Sequence, residues 1–227
     1  MSGGRTTGGG SLISSETRTR VRKLGEPIAL FFGRLGLTPN GLTLIGFGIT
    51  IIAALLAGVQ LWLAAGIVVI VGGVFDMFDG TLARATGSVS KVGAFMDSVF
   101  DRWGEGITYI GIVVGCVNAG FGLGAGLAAF AMASAFLVSY TRAKSEGLGF
   151  TQGTGMAEVG LAPREIRLVV LSAGLVLAGL AGGVGPNLSG GSLWLAIALA
   201  AIGVLATITV IQRIVHVRQQ AAASGGK

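Results

Sequence analysis

The chain has 227 residues, 52% of them hydrophobic and only 11% charged, with a formal net charge of +6. That balance excludes an ordinary water-soluble domain and points to the bilayer as solvent. A basic face beside anionic lipid accounts for the charge, so no nucleic-acid partner is required, and the single cysteine, Cys116, leaves neither a disulfide framework nor a cysteine-ligated metal.

In chain order, residues 1–14 start with a Gly, Ser and Thr stretch that lacks the apolar core of a signal peptide and is expected to be a disordered tail. Residues 15–37 mix Arg, Lys and Glu with Leu24, Ile28, Leu30, Phe31, Phe32 and Leu35, the pattern of an amphipathic helix lying in the membrane interface; a soluble tail is the other reading. From 38 to 218 the sequence predicts an all-α, polytopic membrane domain of six transmembrane helices. Their spans are Leu42–Leu61, Trp62–Phe78, Gly93–Asn118, Gly122–Tyr140, Ile166–Val184 and Leu193–Val215, and the short second one is expected to run past Phe78. Each approaches the ~20 residues that cross ~30 Å of hydrocarbon. Thr38-Pro39-Asn40 supplies a helix start, with Pro fixing φ beside polar caps. Residues 219–227 are expected to be a flexible tail. Many of the 41 glycines fall inside the spans, where small residues let helix backbones approach closely.

The 16 Lys and Arg residues test this topology independently. All fall on one side: before the first span, around the junction of the second and third, around the junction of the fourth and fifth, and at or beyond the end of the sixth. The opposite connections, near Gln60, Asn118–Phe121 and Gly183–Gly191, carry none. By the positive-inside rule both termini are cytoplasmic, in a protein of the cytoplasmic membrane.

Carboxylates within a membrane span are expensive and usually functional. From Asp76 to Asp101 the chain reads DMFDGTLARATGSVSKVGAFMDSVFD. Asp76 and Asp79 stand at i and i+3 on one helix; Gly93, Asp97 and Asp101 repeat at i+4 on the next, so two acidic faces can converge. Four such carboxylates repel one another unless they bind cations, and hard oxygen donors select Mg²⁺ or Mn²⁺, here as a pair of ions. Gly80 leaves room for a ligand to approach the backbone, Ala83 keeps that helix face shallow, and Arg84 can hold a phosphate bidentately. Gly93 either leaves room for a nucleotide or simply packs helices.

Asp76-x-x-Asp79-Gly80-x-x-Ala83-Arg84, then Gly93-x-x-x-Asp97-x-x-x-Asp101, resembles the complete signature of the CDP-alcohol phosphotransferase family, and no fixed position departs from it. The resemblance implies that Asp76, Asp79, Asp97 and Asp101 bind metal and that Asp101 also serves as general base, while CDP-diacylglycerol is held by Asp76, Asp79, Gly80, Ala83, Arg84 and Gly93. It implies a homodimer too. Asn40 lies in a Thr-Pro-Asn segment similar to one near the nucleotide in the family; capping is the plainer role.

Bases at three helix ends, Arg142 and Lys144, Arg164 and Arg167, and Arg213, either form a pocket for a phosphorylated acceptor or express only the positive-inside bias. Their local patterns are similar to those of bacterial phosphatidylinositol phosphate synthases and archaeal ether-lipid relatives. That similarity implies that Ser139, Arg142, Lys144, Arg164 and Arg213 bind inositol 1-phosphate, a phosphorylated polyol. Two departures stand out: Glu165 and Ile166 separate the arginines where the family commonly has Arg-Pro-Glu-Arg, and Lys144 stands where Arg is usual. Glycerol 3-phosphate is the alternative acceptor, and a divalent-cation transporter the remote alternative. Glu105, one turn beyond Asp101, is expected to orient a metal ligand or Arg102, and His216 to be structural.

Overall fold

The computed structural model describes residues 27–150, 159–223 and 225. The tail expected over 1–14, residues 15–26 of the expected interfacial helix, and Glu158 lie outside them. The described residues form seven helices and no strand: α1 (27–34), α2 (Pro39–Gly58), α3 (Trp62–Ala85), α4 (Lys91–Asn118), α5 (Gly122–Gly147), α6 (Arg164–Leu180) and α7 (Gly190–Ala223).

Local sequence fixes several of these ends. Thr38 caps α2, its side chain accepting from the Gly41 amide at 3.1 Å, with Pro39 in the first turn. Ser90 caps α4 by accepting from Gly93 N–H at 2.9 Å. The second helix expected in the membrane does run beyond Phe78, to Ala85, so Asp79, Gly80, Ala83 and Arg84 are helical. The last helix continues to Ala223, into the segment expected to be a tail.

Four helices, α2, α3, α5 and α7, are long and apolar enough to cross a membrane. The other two long helices, α4 and α6, differ for a physical reason. α6 is only 17 residues long and begins with Arg164, Glu165 and Arg167; α4 carries Lys91, Asp97, Asp101, Arg102 and Glu105 in its first half.

The six long helices close a ring in which α2 packs on α3, α3 on α6, α6 on α7, α7 on α5, α5 on α4, and α4 back on α2. Trp62, Tyr109, Cys116, Phe121, Leu175 and Leu199 lie in the buried core. The α2–α4 contact depends on missing side chains. A Cβ on Gly111 would stand 2.7 Å from the Ala54 carbonyl carbon and closer still to its oxygen, and one on Gly115 would meet the Ala57 carbonyl oxygen. Helix α1 lays Ala29 and Phe32 against Leu42, Phe78 and Leu82, with the Phe32 ring centroid 5.6 Å from that of Phe75. Ile28, Phe31 and Leu35 stay exposed.

Candidate active site

Two helical periodicities bring the acids together. Asp76 and Asp79 share a face of α3, Asp97, Asp101 and Glu105 share a face of α4, and both faces turn inward at the same end of the ring. Asp76 lies within electrostatic reach of Asp79, Asp97 and Asp101. Two cavities meet this cluster, and Thr43 lines both. The larger, of about 1060 Å³ including its open mouth, is lined by Asp79, Asp97, Gly80, Ala83, Arg84, Gly93 and Asn40. The smaller, of about 520 Å³, is lined by Asp76, Asp101, Glu105 and Arg164.

Each carboxylate has a distinct environment. Asp79 is 5% exposed; one oxygen accepts from Thr43 Oγ1 at 2.7 Å and the other from the Gly80 amide. Asp76 accepts from Arg164 Nη2 at 2.5 Å, and the same nitrogen stands 2.9 Å from Asp101 Oδ1. The second Asp101 oxygen accepts from Arg102 Nη2 at 3.2 Å, while Arg102 Nη1 donates to Ser139 Oγ at 2.6 Å. Gly46 completes this wall: a Cβ there would lie 2.9 Å from Asp76 Oδ1.

Of the residues expected at the large cavity, Asn40, Gly80, Ala83, Arg84 and Gly93 all line it with Asp79 and Asp97. Asp76 lines the smaller one. The space over Gly80 is taken by Arg84, whose Nη1 lies 3.3 Å from where a Cβ would be, so this glycine makes room for a guanidinium. The residues expected at the acceptor are less gathered. Arg164 is inside the acidic cluster and Ser139 touches it through Arg102. Arg213 is buried, its Nε donating to Val159 O at 3.0 Å and its Nη1 to Val138 O. Arg142 pairs with Glu146 at 2.9 Å on the exposed end of α5, and Lys144 is exposed as well. His216 lies 2.9 Å from Gln220, away from the acids. Sequence reasoning missed Gly46 and the pairing of Glu105 with Arg167, whose only signal was the i+4 step from Asp101.

Cation binding can be judged from the donors. Four aspartates meet two guanidiniums, Arg102 and Arg164, which leaves a surplus of negative charge. Hard oxygen donors with surplus charge fit a divalent cation. Among the described residues, no three acidic, His or Cys side chains converge on one point as ligands would; Arg164 occupies the space between Asp76 and Asp101.

Comparison with known proteins places this geometry in context. The family model described as CDP-alcohol phosphatidyltransferase matches residues 36–202. The archaetidylinositol phosphate synthase of Pyrococcus horikoshii is 37% identical over 158 residues, 69% of this chain and 79% of that protein. The phosphatidylinositol phosphate synthase of Streptomyces avermitilis is 34% identical over 219 residues, 94% of this chain and 86% of that one. Among solved structures, the Mycobacterium tuberculosis phosphatidylinositol phosphate synthase with CDP-DAG bound matches with a TM-score of 0.74 at 26% identity, covering 86% of this chain and 94% of that chain. A second structure of that synthase is a complex with manganese and citrate, at TM-score 0.72, 26% identity and coverages of 86% and 88%.

Proposed function

We propose that this chain, which belongs to the CDP-alcohol phosphatidyltransferase family, moves a phosphatidyl group from CDP-diacylglycerol onto the hydroxyl of inositol 1-phosphate, giving phosphatidylinositol phosphate and CMP. One observation carries the reading: the full aspartate signature lies at the junction of two cavities, in a chain alignable over 94% of its length with a phosphatidylinositol phosphate synthase.

In this reading the larger cavity takes the cytidine diphosphate part of the donor, with Asn40, Gly80, Ala83 and Gly93 as its walls and Arg84 on a phosphate. Asp76, Asp79, Asp97 and Asp101 would hold two ions of Mg²⁺ or Mn²⁺. Bound there, divalent cations supply charge neutralisation and Lewis-acid polarisation of the pyrophosphate. Thr43 fixes one Asp79 oxygen and so the direction of its carboxylate. Asp101 takes the proton of the acceptor hydroxyl as the oxygen attacks the lipid-bearing phosphorus; the bond to the CMP oxygen breaks and CMP leaves. Arg164, whose Nε has no hydrogen-bond partner among the described residues, is the first candidate for the acceptor phosphate. Ser139, Arg142, Lys144 and Arg213 complete the set proposed for the acceptor, Arg213 after release of its backbone carbonyls.

The distribution of Lys and Arg supports α2 to α7 as six crossings, with both termini and the acids at the cytoplasmic face and α1 in the interface. A homodimer is part of the same proposal.

The test is purified protein with CDP-diacylglycerol, Mg²⁺ and a panel of acceptors, followed by mass analysis of the lipid product. The expected product is phosphatidylinositol phosphate. A product formed only from glycerol 3-phosphate overturns the acceptor, and no CMP release with any acceptor overturns the activity.

A further inference from the structure

The segment that carries Arg164 is held by contacts that the phosphatidyl transfer does not use. Arg167, one turn along α6, is 2% exposed, and its Nε and Nη2 donate to the two Glu105 oxygens at 2.9 and 3.0 Å. Its Nη1 donates to the Ala162 carbonyl at 2.8 Å, so the guanidinium fork is engaged on every side. Helices α4 and α6 are not neighbours in the ring, and the pair reaches across the interior between them. Asp101 and Glu105 at i, i+4 on α4 therefore face Arg164 and Arg167 at i, i+3 on α6, as two rungs between the same helices. The rungs differ in kind. The Glu105–Arg167 rung is bidentate, with side chains 3% and 2% exposed, whereas Arg164 reaches Asp101 through one nitrogen that it shares with Asp76 and is 22% exposed.

A buried ion pair is a weak way to gain stability, because apolar side chains of similar volume often do as well or better. What it supplies here is geometry. We propose that Glu105 and Arg167 are positioning residues: they fix the first turn of α6 so that Arg164 stands between Asp76 and Asp101 as an internal counter-cation, which a divalent ion must displace. The inference rests on the proposed function in one respect, that Asp76 and Asp101 are cation ligands. A guanidinium held against both repels an incoming dication, so cation affinity is set partly by α6. Once displaced, Arg164 has its nitrogens free for an anion beside Asp101.

The experiment uses the full chain in micelles without substrate, with Mn²⁺ affinity read from the free-ion electron paramagnetic resonance signal. Glu105→Met with Arg167→Met replaces the pair by apolar groups, and Arg164→Gln is the reference. The double variant is expected to unfold near the wild-type temperature and to bind Mn²⁺ about tenfold more tightly, in step with Arg164→Gln. A purely structural role predicts the opposite sign, since a loosened site binds ions more weakly. A folded double variant with wild-type or weaker Mn²⁺ affinity overturns the proposal. Should the double variant fail to fold, Glu105→Gln with Arg167→Gln, which likewise leaves the net charge unchanged, is read by the same criterion in a folded protein. Wild-type protein that binds no Mn²⁺ sinks this inference together with the metal reading. Wild-type protein that binds Mn²⁺ and forms product, beside a double variant with unchanged affinity, sinks this inference alone.

Discussion

Replacing Gly111 by Ala adds one methyl group where α4 touches the backbone of α2. The new Cβ would stand 2.7 Å from both C and Cα of Ala54 and nearer to its carbonyl oxygen, all backbone atoms that no rotamer change can move. Ordinary packing needs α2 to retreat by roughly 1 Å, a shift that overpacked cores accommodate at about 1–3 kcal/mol. Contacts this short with backbone put the cost at the upper end, and alanine's better helix propensity returns at most ~1 kcal/mol, so the variant should lose about 2 kcal/mol. The displacement also separates Asn40 and Thr43 on α2 from Asp79 and Asp97, so the KM for CDP-diacylglycerol should rise several-fold while Mg²⁺ remains required. Reversible unfolding in micelles and initial rates of CMP release measure the two effects. Gly126→Ala is the control: nothing lies within 4 Å of its Cβ position, and stability should stay level or rise slightly. A Gly111→Ala protein as stable and active as the control refutes the reasoning.

Asp101→Asn keeps the size of the side chain but removes the proposed proton acceptor; CMP release should fall by about 10²–10⁴-fold with the fold intact by thermal unfolding. Thr209→Val deletes the oxygen that accepts from the Leu161 and Ala162 amides at 3.0 and 3.1 Å, leaving two donors unpaired. Unfolding measurements should register a loss of about 2–4 kcal/mol. Chelation of divalent cations should abolish CMP release, and added Mg²⁺ or Mn²⁺ should restore it.

The parts of this molecule that were legible in its sequence are those with local rules. The i, i+3 and i+4 spacing of the aspartates already puts them on two faces, and Thr38-Pro39 and Ser90 act on backbone amides three residues on. The extension of α3 past Phe78 was legible because the apolar run from Trp62 to Phe78 is by itself short for a crossing. Where the decisive partner is distant in sequence, the reading fell short. Arg213 is a base at a helix end, and nothing beside it in sequence announces that its nitrogens go to the Val138 and Val159 carbonyls, 75 and 54 residues away. Likewise nothing near Glu105 announces Arg167, 62 residues downstream. Length and hydropathy suffice for α2, α3, α5 and α7 but not for α4 and α6, because the charges that build the site dilute the apolar signal of the helices bearing them.

Thr209 and Arg213 of α7 hold residues 159–162, and Gly160, at φ +126°, lies where any larger side chain would strike Thr209. The lead-in to α6 is thus moulded by a helix that leaves the ribosome later. During synthesis, α6 can form before its own entrance is set, and the contacts that hold residues 159–162 close only once α7 has been made. A nascent chain stalled short of Thr209 would carry every aspartate and still be an unfinished catalyst.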